Sequence, residues 1–231
     1  MTPTPDTSPR KLTDDLHVLD ASFPLGAMDL GGRMTVIRLP DGGLWVHSPV
    51  AFTPARRAAV EALGPVRFLV APNLLHHVHL PDWAAAFPGA RVVAPRGLRV
   101  KRPELRIDQE LEDTSDPAWA PVLAQMHLRG MPKVDEFLFF HRPSRTLLVT
   151  DMAFHFQHSD SRLTRLYLKL NRAWGRLAPT FLVRLFIKDR EATRAALQRA
   201  LEWDVERVVV CHGQVLEHGG KQALRDAFSW L

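Results

Sequence analysis

Apolar positions along this chain change period several times, and those changes mark the elements. VRFLVA (66–71) is an almost unbroken apolar run, the pattern of a strand covered on both faces. Residues 34–39 and 44–48 are two further apolar runs joined by PDGG, whose Pro, Asp and Gly supply hairpin geometry. EFLFFHRPSRTLLVTDMAF is a second hairpin, turning at HRPSR and ending in Asp151. LHVLDASF, ARVVAP, LRIDQEL, VLAQMHL and 207–211 read as further strands. A helix is predicted after Thr53, an N-cap followed by proline and closed by Gly64. DWAAAF, 189–203 and the final GGKQALRDAFSWL also read as helices, and PRGLRVKRPEL as a basic connection. Across 161–187, Leu163, Leu166, Tyr167, Leu170, Trp174 and Leu177 recur at three and four residues while arginines and Lys169 keep the opposite phase. That is a basic amphipathic helix, broken by Pro179 before TFLVRLFI, with its apolar face expected on the core; a lid, a dimer contact or a membrane-surface contact are the other uses of such a face.

Length then limits the architecture. At 231 residues and 46% hydrophobic content, one large domain over 13–231 is expected, behind a flexible tail at 1–12 rich in Pro, Thr, Ser and Asp, with order beginning near Leu16. A single cysteine excludes an internal disulfide framework, and Cys211 reads as a small buried hydrophobe in a protein of the reducing cytoplasm. No apolar leader or spanning segment is expected. The net charge of +5 comes from arginines spread over much of the chain, so nucleic acid binding is not indicated. Serine-hydrolase, nucleotide-loop and Cys-x-x-Cys motifs are missing from the sequence.

Candidate chemistry gathers where strands end. FLVAPNLLHHVHLPDW places His76, His77 and His79 within four residues directly after an apolar strand, where functional residues of such sheets collect. Histidine is the commonest metal ligand and the side chain titrating nearest neutral pH. Asp151 closes the strand LLVTD, and His212 with Gly213 follows VVVC. Two hairpin-bearing strand sets with helices, and acids or histidines at three strand ends, resemble the metallo-β-lactamase superfamily in a motif-divergent branch. The resemblance implies an α/β fold, a four-layer αββα sandwich, with a helical insertion near 159–187.

That superfamily carries T-H-x-H-x-D-H after a strand, then G-H-T-P-G, then strands ending G-D and G-H. Aligned without gaps, the first motif puts Pro72 and Leu74 in place of its first two histidines, His76 in place of the aspartate, and keeps His77. LRGMPKVDEF stands at the second motif, with Gly130 or Met131 where its histidine would be. The lost positions all serve one metal site, and the survivors serve the other. By resemblance one divalent metal, zinc, iron or manganese, is held by His76, His77, Asp151 and His212, with His79 able to replace either of the adjacent pair.

A metal with an open position makes hydroxide available near neutral pH, so a mononuclear hydrolase of a small, possibly anionic substrate is the expected function. Asp135 and Glu136 are candidate general bases or partners to a ligand, with exposed turn carboxylates as the alternative. Lys133, Arg99, Lys101 and Arg102 are candidate attractors of an anion, and His155 and His158 are expected at the surface or the pocket wall. His47 is expected to be structural. A catalytically silent protein of the same fold, binding a ligand or partner, is the competing reading, and a homodimer through the insertion is open.

Overall fold

A computed structural model describes residues 7–231. Contacts divide it into two compact units: Gly31–Leu111 with the described residues before Pro24, and Pro24–Leu30 with Glu112–Leu231. None of the described helices is long and apolar enough to cross a membrane.

Chain order begins with β1 (Arg10–Lys11) and β2 (Leu16–Ala21), then β3 (Pro24–Leu25) and β4 (Met28–Asp29), a small hairpin that belongs to the second unit. The first unit continues with β5 (Gly32–Arg38), β6 (Leu44–His47), α1 (Pro54–Glu61), β7 (Val66–Val70), α2 (Leu80–Ala86), β8 (Arg91–Ala94), α3 (Arg96–Lys101) and β9 (Gln109–Glu110). Its sheet runs β1-β2-β5-β6-β7-β8-β9, antiparallel as far as β6 and parallel from there on. The expected hairpin at PDGG and the apolar strand at 66–70 are both present. Leu69, Val92 and Trp83 are buried in one core, and Trp83 Nε1 donates to Val50 O at 2.7 Å, so its polar edge is satisfied while its rings exclude water. Thr53 caps α1 by accepting from the Arg56 N–H.

Two expectations fail here. Pairing begins at Arg10–Lys11 against His17 and Val18, earlier than Leu16; the part of the expected tail at 1–6 lies outside the described residues. The connection PRGLRVKRPEL contains α3, which follows Pro95 and buries Leu98. One buried leucine among four basic residues leaves no periodicity to read.

The second unit comprises β10 (Leu123–His127), β11 (Phe137–His141), β12 (Thr146–Val149), β13 (Phe154–His155), α4 (Arg162–Leu170), β14 (Leu177–Ala178), α5 (Phe181–Phe186), α6 (Arg190–Ala200), β15 (Arg207–Val210) and α7 (Gly220–Ala227), with the β3–β4 hairpin. Its main sheet is ordered β10-β11-β12-β15, and β12 lies parallel to β15. α4 is shorter than the predicted helix. The Asn171 side chain donates to Tyr167 O at 2.7 Å, Arg172 takes a left-handed φ of 54°, and Trp174 bridges to Phe156 in the β manner. Leu177 therefore lies in β14 rather than on the helix. The side of α4 that packs inward carries Thr164 and Leu168; of the expected apolar face, Tyr167, Trp174 and Leu177 pack on the core while Leu163, Leu166 and Leu170 are exposed.

Candidate functional site

In the second unit, strand register brings two predicted residues together. β12 and β15 pair Val149 with Val210, so two residues further along the parallel strands Asp151 and His212 emerge side by side. Asp151 Oδ1 lies 3.5 Å from His212 Nε2. Two ligands bound at zinc–oxygen and zinc–nitrogen lengths in a tetrahedron are roughly 3.3 Å apart, so this donor pair has the separation that one shared ion requires. The His212 ring stacks on Phe154, with centroids 5.0 Å apart, which fixes its plane. Gly213 follows with φ of 101°, and a Cβ there would stand 2.1 Å from His155 O; only glycine lets the chain pass so close to β13.

Glu136 is fully buried. Its carboxylate accepts the backbone N–H groups of Thr150 at 2.7 Å, Asp151 at 3.0 Å and Met152 at 2.9 Å. Burial and the Asp151 carboxylate push its pKa up to about 7, against the pull of those N–H groups. Glu136 therefore shapes the turn that carries Asp151 and is a positioning residue. It is not the exposed turn carboxylate offered as its alternative role. Asp135 has a left-handed φ of 53° and bonds His127 Nε2 at 2.7 Å, with the His127 ring stacked on Phe137. Lys133 is exposed. His155, expected at the surface or the pocket wall, is buried, with Nδ1 2.8 Å from Gln214 O; His158 is exposed beside Asp160.

In the first unit the histidine turn is built by two residues the sequence reading passed over. Asn73, fully buried, accepts through Oδ1 from the N–H groups of Leu75 at 2.9 Å and His76 at 2.8 Å, an Asx turn that bends the chain just after β7. Ser48, left-handed at φ 53° and directly after β6, places its Oγ 2.7 Å from His76 Nδ1. With Nδ1–H donating to that hydroxyl, Nε2 keeps its lone pair for a ligand role. His77 turns to a different partner. Its Nε2 lies 3.3 Å from an Arg102 guanidinium nitrogen, which can only donate, and burial followed by Lys101 and Arg102 holds its pKa below the usual histidine value. His79 sits at the N-cap position of α2 without a side-chain capping bond; burial lowers its pKa, with Asp82 opposing and Arg56 assisting. His47, buried in β6, stacks on Trp45 at 5.5 Å, in keeping with a structural role. Lys101 is used on Leu74 O at 2.6 Å and Arg99 on Ile107 O at 2.9 Å.

The positions that lack the superfamily's histidines are filled with packing. Pro72 is buried and Leu74 packs on the first unit's core; Met131 belongs to the second unit's core. Gly130, φ 91°, lies so close to the start of α6 that a Cβ would meet Thr193 Oγ1 at 2.1 Å and Asp189 O at 2.3 Å. Gly130→Ala is expected to destabilise by about 2 kcal/mol from the left-handed backbone and the overlap, read as a lower urea midpoint at unchanged slope. A loss below about 0.5 kcal/mol would show that α6 yields freely there.

With these positions described, the likeness to known proteins has a physical basis. The chain is similar over 96% of its length to a metallo-β-lactamase from Pontibacter korlensis, at 12% identity, 97% of that chain and a TM-score of 0.67. It is similar over 98% of its length to a Pseudomonas aeruginosa metallo-β-lactamase in its mono-zinc form, at 11% identity, 97% of that chain and a TM-score of 0.65. A metal-soaked flavodiiron core from Synechocystis matches 96% of the chain at 11% identity and a TM-score of 0.69, the match spanning 60% of that protein. The chain has the metallo-β-lactamase fold, as the resemblance implied. None of the curated proteins matches it. The family described as a domain of unknown function, DUF4336, matches residues 13–173, which takes in His76, Glu136 and Asp151, and the chain belongs to that family.

Proposed function

We propose that this protein is a hydrolase working with one divalent metal, with Asp151 and His212 of the second unit as its ligands. The observation that carries the reading is the Asp151–His212 pair at 3.5 Å, two donors of different type set by strand register at the separation of ligands on one ion. The fold adds support, because the superfamily's motifs put one ligand set at these strand ends. An imidazole and a carboxylate suit zinc, iron or manganese. His77 is left out of the set, since its Nε2 lone pair faces Arg102.

Bound there, the ion would act as a Lewis acid and make water acidic enough to serve as a nucleophile near neutral pH. The chain's own residues prepare that setting. Phe154 fixes the His212 plane, and Glu136 holds the Asp151 backbone. A reducing compartment such as the cytoplasm suits the lone, buried Cys211.

Elemental analysis of tag-free protein tests the assignment. About one metal per chain is expected, falling at least tenfold in Asp151→Ala and His212→Ala and holding in His158→Ala. With metal bound, ester, lactone, thioester and phosphodiester substrates are the classes to screen. Persistently metal-free protein after incubation with zinc, iron(II) and manganese would favour the silent, ligand-binding reading, to which the packing at Pro72, Leu74 and Met131 lends its weight.

A further inference from the structure

The exposed leucines of α4 have no role in the proposed chemistry. Of the chain's large apolar side chains left exposed among the described residues, Leu163, Leu166 and Leu170 lie on α4 and Phe181, Leu182 and Leu185 on α5. At 100° per residue, positions 163, 166 and 170 fall in one stripe, and 181, 182 and 185 fall on one side of α5 opposite the buried Val183. The two stripes meet at their ends. Asn171 Oδ1 accepts the Phe181 N–H at 2.6 Å while its amide nitrogen donates to Tyr167 O, so Leu170, 75% exposed, and Phe181, 64% exposed, flank one junction.

Between Asp160 and Asp189 the charge of this segment has one sign. Residues 161–188 hold Arg162, Arg165, Lys169, Arg172, Arg176, Arg184 and Lys188 and no carboxylate. The whole chain is only +5, so the remainder is net acidic and the excess is concentrated here. On α4, Arg162, Arg165 and Lys169 form a cationic side between the leucine stripe and the buried Leu168, with Arg165 half-exposed.

We propose that α4 and α5 seat this protein on an anionic lipid surface, the leucines and Phe181 entering the acyl boundary and the cations meeting lipid phosphates and carboxylates. Exposed apolar side chains accompanied by a marked excess of lysine and arginine are what an interfacial helix requires. A second copy of the chain would set this cationic surface against itself, which charge repulsion opposes. Nucleic acid would answer the cations and leave the leucines in water. An acidic protein groove is the remaining occupant, and the test below separates it. The inference is independent of the metal reading.

The full chain is spun with vesicles of phosphatidylcholine alone and with phosphatidylserine added. Sedimentation with the anionic vesicles only is expected, reduced at least tenfold by raised salt, by Leu170→Ser with Phe181→Ser, and by Arg165→Glu with Lys169→Glu. All four positions are solvent-facing or half-exposed, and unchanged thermal melting verifies folding; Leu166→Gln with Leu185→Gln serves where it changes. No vesicle binding overturns the proposal, as does equal binding to both vesicles. Binding insensitive to the apolar changes overturns insertion. A dimer in solution that Leu170→Ser with Phe181→Ser dissolves, without vesicle binding, assigns the surface to a second copy instead.

Discussion

Glu136→Ala is expected to lower the free energy of unfolding by roughly 3–5 kcal/mol, the cost of stripping a buried ionic acceptor from its donors. Glu136 is fully buried, and its two oxygens take three successive backbone N–H groups at the end of β12. Alanine leaves three donors without a partner where water is excluded, and it leaves a void as well. Glu136→Gln keeps the volume and one carbonyl oxygen but turns an amide N–H toward an N–H, so its loss should fall between wild type and alanine. Urea unfolding at neutral pH reads both. An alanine loss under about 1 kcal/mol would place the turn's stability elsewhere. Because the middle N–H belongs to Asp151, Glu136→Gln should also weaken metal retention in protein that still folds.

That brace explains much of what the sequence revealed and what it hid. The strands that form the two sheets could be read because local pattern specified them: the PDGG and HRPSR turns, the apolar run at 66–70 and the valines of β15 agree with the partners they found. Asp151 and His212 could be read for the same reason, since a chemical side chain directly after a buried strand is a local signal. The supports of these residues are not local. Ser48 reaches His76 across 28 residues, Glu136 reaches Asp151 across 15, and His155 reaches Gln214 across 59. No spacing rule links such pairs, so Ser48 and Asn73 carry no signal in the sequence, and Glu136 reads there as a general base or a partner to a ligand, without its bond to the Asp151 backbone. The helix at 161–187 failed differently. Its periodicity is genuine over α4, but Asn171 ends the helix by bonding both the preceding turn and α5, and the repeat carried by Trp174 and Leu177 is an accident of strand residues. Periodicity also cannot say which stripe meets the core, and here a threonine and one leucine do, while three leucines stay in water.

Acid should destabilise the protein through His47 more than through any exposed histidine. The ring lies buried in β6 against Trp45, and burial, with a smaller contribution from His76, depresses its pKa from 6.5 to about 3. For a base with a depressed folded pKa, the native state refuses a proton that the unfolded chain accepts. The stabilisation is therefore complete above pH 6.5 and declines as pH falls toward 3. Across that window each pH unit removes about 1.4 kcal/mol, so roughly 3 kcal/mol should be gone two units below the unfolded pKa. His17, His77 and His79 are shifted the same way and add to the same decline. Unfolding of wild type and His47→Leu between pH 7 and pH 4.5, with a chelator present so that ligand protonation does not contribute, isolates the buried ring. The leucine variant starts less stable, having lost the stacking on Trp45, yet its stability should fall with acid by about one proton less than wild type. Parallel slopes would mean that His47 gains a proton in the folded state, and since a buried imidazolium needs an anion beside it, the first unit would then have to open around β6 as the pH drops.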